Sequence, residues 1–372
     1  MKNFKAFSHW LIVLIVMSCN TDEHRNAEPE GDFSNTLTQE EISRARLSPE
    51  ILWKFGRVGD MQLAPDGSTV LYTLTRFDAK SDNSHTWIFS VPSQGGVSAN
   101  LTGNFASCSN PRWIDNNHIV FLSKTDDRNK IWQMNSDGSA KEVVSDIGGD
   151  INAFGIAPGG KKIFYLQDVK MDQTTQDRYP DLPLAKGMIF EDMMYRHWDS
   201  WHDHAYSHIF IADFANGRIN QGKDIMEGEP YDSPLPPYFN IEEIAWNHNG
   251  TKLAFTCKKL KGRDFSKSTN SEIYLYDESG SITNITEGMP GYEKYPVFSP
   301  DGSIVAFMSM ETPGYEADKE RLFLYDIDKR TRINLTEQLD QNAAHFNWSA
   351  DGSKIFFISG TRATYQVYEI SV

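Results

Sequence analysis

Six short stretches of turn chemistry, each followed by a strand pattern, constrain this chain more than anything else in it. They are Ala64-Pro65-Asp66-Gly67-Ser68, Ile114-Asp115-Asn116-Asn117, Ala157-Pro158-Gly159-Gly160, Asn247-His248-Asn249-Gly250, Ser299-Pro300-Asp301-Gly302-Ser303 and Ser349-Ala350-Asp351-Gly352-Ser353. Proline presets φ at the second turn position, Asp hydrogen-bonds nearby backbone, and Gly takes the position that other residues would strain. An alternating apolar strand follows each turn, as in Ile304-Val305-Ala306-Phe307-Met308 and Lys354-Ile355-Phe356-Phe357-Ile358. A third strand comes next, as in Ile273-Tyr274-Leu275-Tyr276-Asp277 and Leu322-Phe323-Leu324-Tyr325-Asp326. Asn100-Leu101-Thr102, Asn284-Ile285-Thr286 and Asn334-Leu335-Thr336 mark a fourth strand in three units. Four antiparallel strands repeating about every 40 to 50 residues predict an all-β chain, a β-propeller of four-stranded blades with TolB- or WD-like repeats. About six blades are visible, and the sixth stops at Val372 where a fourth strand should begin. A bare sheet edge is a liability, so the propeller is expected to be incomplete in its last blade.

The third and fourth turns lie about twice the repeat apart. Either a blade has decayed there or a segment has been inserted. An insertion at about 168–207 is the favoured reading, because that stretch is rich in Asp, Met, His and Trp and lacks the turn motif.

A chain of 372 residues, 39% hydrophobic and 12% aromatic, can bury a large all-β core. Its formal net charge of −15 argues against nucleic acid, since a phosphate backbone needs a basic stripe. The first residues read as export machinery. Lys2 and Lys5 precede an apolar run at 10–17 that is too short to span a bilayer, and Ser18 stands before Cys19. This resembles a bacterial lipobox, with 1–18 as signal peptide, Cys19 as the lipidated residue and 19–46 as an acidic, flexible tether. A lipid anchor in the outer membrane of a bacterial envelope is the implied location. Cys108 and Cys257 remain in the folded part, and Cys257 shares a strand face with Leu253 and Phe255. A buried apolar thiol is expected rather than a disulfide.

The inserted segment carries the chemistry. Leu47-Ser48-Pro49-Glu50, Val58-Gly59-Asp60 with the turn that follows, and above all Tyr195-Arg196-His197-Trp198-Asp199-Ser200-Trp201 resemble the propeller of the prolyl oligopeptidase family of serine peptidases. The branch in question includes acylaminoacyl peptidases and the bacterial and fungal dipeptidyl peptidases. The resemblance spans residues 47–372. It implies an α/β-hydrolase domain after the propeller, with a Gly-x-Ser-x-Gly elbow and then Asp and His. No Gly-x-Ser-x-Gly occurs in this sequence, so no catalytic residue can be assigned and the chain by itself is expected to be inactive. The implied role is a gate that admits short peptides to a buried serine.

The candidate substrate-binding residues are Glu191, Asp192, Arg196, His197, Trp198 and Trp201. The resemblance suggests that Glu191 and Asp192 anchor a peptide's protonated N-terminus, since a buried ammonium needs a counter-charge. A structural reading stands beside it: Arg196 pairs with Asp192 or Asp199 while Trp198 and Trp201 pack the insertion onto the blades. His197, His202, His204 and His208 with Asp199 and Asp203 raise the option of zinc, but the spacing matches no His-Glu-x-x-His helix, and neither metal nor cofactor is expected. Trp113, Trp246 and Trp348 precede turns at equivalent positions and are assigned to the core. The alternative to a peptidase gate is a stand-alone TolB-like propeller lipoprotein that binds a protein or peptide.

Overall fold

The computed structural model describes residue 31 and residues 33–372. It is an all-β propeller of six blades in chain order. Blades one, two, four and five are four-stranded antiparallel sheets, the third is enlarged to six strands, and the sixth has three. The proposed signal peptide and Cys19 lie outside the described residues.

The turns form as their residues dictate. In the first, fifth and sixth the Asp carboxylate accepts from the amide two residues on, Ser68 at 2.9 Å, Ser303 at 3.0 Å and Ser353 at 3.0 Å. Gly67, Gly302 and Gly352 then sit at φ between 72° and 76°, where a Cβ would be strained. The Asn-x-Thr motifs close the outer strand of their blades. The hydroxyls of Thr102, Thr286 and Thr336 accept from the amides of Ile88, Ile273 and Leu322 at 2.9–3.1 Å, and each Thr amide is held by the preceding Asn side chain. Ser145 does the same for Ile131 in the second blade.

Apolar faces of successive sheets interleave. Val120, Ile131, Phe154, Ile163 and Tyr165 form one such layer, and Phe164, Ile209, Leu253 and Phe255 the next. Trp113, Trp246 and Trp348 pack against the core layers as half-buried rings at the seams between blades. Their indole N–H groups donate to the backbone of the preceding blade, at Gln62, Gly155 and Val297. An indole buried outright would lose that donor or need another acceptor, so these rings sit where two blades meet. Cys108 and Cys257 are both buried and free.

The stretch expected as a loose tether is, over its described part, fastened to the first blade. Phe33 packs 5.6 Å from His85 and 5.9 Å from Trp87, and Arg76 donates to the Asn35 carbonyl at 2.9 Å. Thr38 and Glu41 form a capping box on helix Gln39–Arg44, and Ser48 caps helix Pro49–Lys54. Within 33–46 one aromatic anchor and the Thr38 cap carry this order, which apolar periodicity cannot register.

Two apolar surfaces have no neighbouring blade among the described residues: the inner strand of the first blade, where Met61 is 70% exposed, and strand Thr364–Ser371 of the sixth, where Tyr365 is 85% exposed. Thr286→Val keeps the side-chain shape but leaves the buried Ile273 amide without its acceptor. It should cost about 1–3 kcal/mol in urea unfolding, and a loss below measurement error would remove the Asn-x-Thr closure from the account of blade stability.

Candidate functional site

Strands Lys162–Lys170 and Ala205–Ala215 of the third blade pair in unbroken antiparallel register from Lys162↔Asp213 to Lys170↔Ala205. The chain between them, residues 171–204, therefore leaves the blade as a long excursion and returns to the same ladder. Its root is closed by the amides of Met171 and Asp172, which both donate to the His204 carbonyl, and by the Tyr206 hydroxyl, which donates to Asp172 at 3.2 Å. Lys170 pairs with Asp177, whose carboxylate also caps helix Thr175–Arg178 from inside its first turn.

Phe190 organises the rest. Its ring stacks on Trp201 at 5.8 Å and on His204 at 5.5 Å, and it lies 5.6 Å from Tyr195. Strands Arg196–His197 and Ser200–Trp201 form a two-stranded hairpin that sets the Arg196 guanidinium 5.6 Å from the Trp201 ring. Stacked rings supply packing that this polar segment otherwise lacks.

Between the insertion, the loop 230–239 and the fourth-blade segment 260–265 lies a cleft of about 1100 Å³. Glu191, Asp192, Arg196, His197 and Trp201 all line it. Trp198 does not; it stands at the mouth, edge-on to Tyr238 with ring centroids 5.6 Å apart. The expected pairing of Arg196 with Asp192 or Asp199 is absent among the described residues. Arg196 Nε donates to the Trp198 carbonyl at 2.6 Å, and the ion pair in the segment is Arg178 with Glu191 at 2.6 Å. The register of the small hairpin turns Arg196 over Trp201 and away from both aspartates. Trp201 packs the insertion on itself and not onto the blades, because its partners Phe190 and Tyr195 belong to the same segment.

The four histidines do not converge on one point, although the rings of His202 and His204 lie 5.9 Å apart. His208 is fully buried in the blade, with Nδ1 2.8 Å from Asp224 and Nε2 2.9 Å from the Glu229 carbonyl. His204 is buried against Phe190, His202 packs on Tyr206, and His197 meets Trp198. No group of side chains able to hold a metal occurs among the described residues.

The cleft is acidic. Asp168, Asp172, Asp203 and Asp232 join Glu191 and Asp192 in its lining, against the cations Arg178, Arg196 and Lys261. Glu191 is already neutralised by Arg178. Asp232, which no motif in the sequence flags, is the most perturbed of these acids. Burial raises its carboxyl to about 6, the Ser207 amide at 2.8 Å draws it down, and nearby Asp168 pushes it up again. Asp232 lies far along the chain from the insertion and reads as part of a turn in Tyr231-Asp232-Ser233-Pro234; only folding brings it under Tyr206 and Ser207.

Because the folded state holds this proton more tightly than the unfolded chain, which releases it near 3.8, its contribution to stability is full at low pH and is lost as pH rises to about 6. Asp232→Asn keeps an acceptor for the Ser207 amide and removes the charge. Relative to wild type it should gain on the order of 1–3 kcal/mol across that window; parallel pH profiles of urea midpoints for the two proteins would show that the carboxyl is solvated.

No protein-family model matches the chain. Dipeptidyl-peptidase 5 of Porphyromonas gingivalis is 39% identical over 330 residues, covering 88% of this chain and 48% of the relative. Dipeptidyl-peptidase 5 of Porphyromonas endodontalis is 36% identical over 337 residues, covering 90% and 49%. Among solved structures, the acylaminoacyl peptidase of Pyrococcus horikoshii superposes with a TM-score of 0.62 at 14% identity, over 86% of this chain and 45% of that one, a likeness of fold. What the fold defines is a β-propeller. The chain belongs to the prolyl oligopeptidase family, in its acylaminoacyl- and dipeptidyl-peptidase branch, and carries the propeller portion. It spans about half the length of the curated relatives it matches.

Proposed function

We propose that this chain is the gating propeller of a cell-envelope serine exopeptidase acting on short peptides, with an α/β-hydrolase domain supplying the nucleophile, and that the cleft under the insertion receives the peptide's N-terminal end. The observation that carries the reading is the excess of carboxylates lining a cleft of about 1100 Å³, in a chain 39% identical to a protein named dipeptidyl-peptidase 5. A protonated amine entering such a site exchanges water for charged acceptors, whereas an N-blocked peptide has no charge to offer. Asp192 and Asp232 are the carboxylates best able to receive it, since Glu191 must first loosen its hold on Arg178. Arg196, His197 and Trp201 would then contact the peptide along the cleft wall.

Calorimetric titration of the purified chain with a free-amine tripeptide and its N-acetyl counterpart tests this directly. The free amine should bind at least about ten-fold more tightly, and Asp192→Ala combined with Asp232→Asn should erase most of that preference. Equal affinities for the two peptides in the wild-type chain would exclude an ammonium site in the cleft.

The envelope location is part of the same proposal and rests on the residues before and at Cys19. Expressed with its leader in a bacterium that processes lipoproteins, the protein should sediment with membranes and become soluble as Cys19→Ser. A Cys19→Ser protein that still resists salt extraction from the membrane pellet would rule out acylation as the anchor.

A further inference from the structure

Residues 171–204 are tied to themselves and to their root, and to little else. Among the described residues every hydrogen bond and ion pair of this segment is internal or falls on Lys170, Ala205 or Tyr206. Trp198 and Asp192 reach across the cleft. Trp198 meets Tyr238 edge-on, with the ring planes at 74°. The Asp192 carboxylate abuts Gly262 so closely that a Cβ there would come within 2.9 Å of Oδ1. Trp198 and Tyr238 are 64% and 68% exposed, so they touch at the mouth of the cleft and not in a core.

The opposite side is built differently. Ser233 is fully buried; its amide donates to the Ser207 carbonyl at 2.9 Å and its hydroxyl to the Thr256 carbonyl at 2.7 Å, which fastens the loop to the third and fourth blades together. The next four residues, Pro234-Leu235-Pro236-Pro237, have a single backbone N–H among them, that of Leu235. It donates to Glu243 Oε2 at 2.8 Å, from a glutamate only 3% exposed. Three fixed φ angles and one buried acceptor leave Tyr238 standing on a rigid strap.

We propose that residues 171–204 are a lid that swings on its root, that the strap bearing Tyr238 is the fixed jaw it closes against, and that the Trp198–Tyr238 ring contact is the latch. Trp198 and Tyr238 thereby set the length of peptide that the cleft admits, with Glu243 as a positioning residue. The length rule rests on reading the cleft as a peptide site; the lid itself does not. An exposed edge-on aromatic pair biases closed over open by only about five-fold, so the lid opens readily and still discriminates.

Hydrogen exchange read by mass spectrometry on the chain tests the lid without a ligand. Residues 171–204 should exchange faster than the strands Lys162–Lys170 and Ala205–Ala215, and Tyr238→Ala or Trp198→Ala should speed the Met171 and Asp172 amides at the root, which the swing must release from the His204 carbonyl, by roughly five-fold while the strands keep their rates. Glu243→Ala should expose the Leu235 amide to exchange, and Glu243→Gln, which retains a carbonyl acceptor, should restore its protection. A segment that exchanges as slowly as the ladder, or that ignores both ring variants, overturns the lid. The length rule is read separately from the affinities of labelled free-amine tripeptide and dodecapeptide. Wild type should prefer the tripeptide, and both ring variants should narrow the ratio. Binding with an unaltered ratio overturns the latch as a length determinant, whereas a lid that opens as expected while neither peptide binds overturns the peptide reading of the cleft and the length rule with it.

Discussion

The nine-pair ladder between Lys162–Lys170 and Ala205–Ala215 is the constraint on which the rest of the functional geometry depends. In the second and sixth blades the corresponding strands are joined by a tight turn, closing at Thr125↔Arg128 and Thr361↔Thr364. Here the two strands are held in register over nine pairs by two buried faces, Ile163 and Tyr165 on one and Phe164, Leu166 and Ile209 on the other. That hold lets more than thirty intervening residues hang from a base that does not move. Without it the insertion would have neither a defined origin nor a defined distance from the loop 230–239. Ser207, inside the ladder, also receives and supplies the bonds that place Asp232 and Ser233, so one pairing positions both sides of the cleft.

Desolvation sets the electrostatic character of this end of the molecule. Asp232 at about 6, Glu243 at about 7 and Glu293 at about 8 are all raised chiefly by burial. Each is placed against a donor that still works when the carboxyl is neutral: the Ser207 amide, the Leu235 amide and the Ser309 hydroxyl. A buried carboxyl kept this way satisfies backbone that proline or a strand end leaves stranded, at the cost of stability as pH rises. Glu293 is the extreme case, with one oxygen left without a partner among the described residues.

Much of this architecture is legible in the residues. Asp66-Gly67, Asp301-Gly302 and Asp351-Gly352 specify turns by local chemistry alone, and Asn284-Ile285-Thr286 specifies a strand closure within three residues. The aromatic run at 195–201 marks the segment that lines the cleft. The partners within it were not legible. Arg196 had two aspartates within reach by sequence and took neither, because a two-residue hairpin register turned it onto Trp201. Phe33 and helix Gln39–Arg44 looked like tether, since a single aromatic anchor leaves no period to read.

What the sequence by itself determined is everything that acts over a few residues: turn geometry, strand alternation, capping, and the family to which the repeats and the Tyr195–Trp201 run belong. Only tertiary structure decided that Asp232 joins residues some forty positions earlier. It also decided that Tyr238 faces Trp198 and that Glu243 holds the one amide of a proline strap. Those relations cross from one blade to the next. The forces that create them, burial and the matching of stranded donors to distant acceptors, depend on how sheets stack and leave no spacing in the chain from which they could be read.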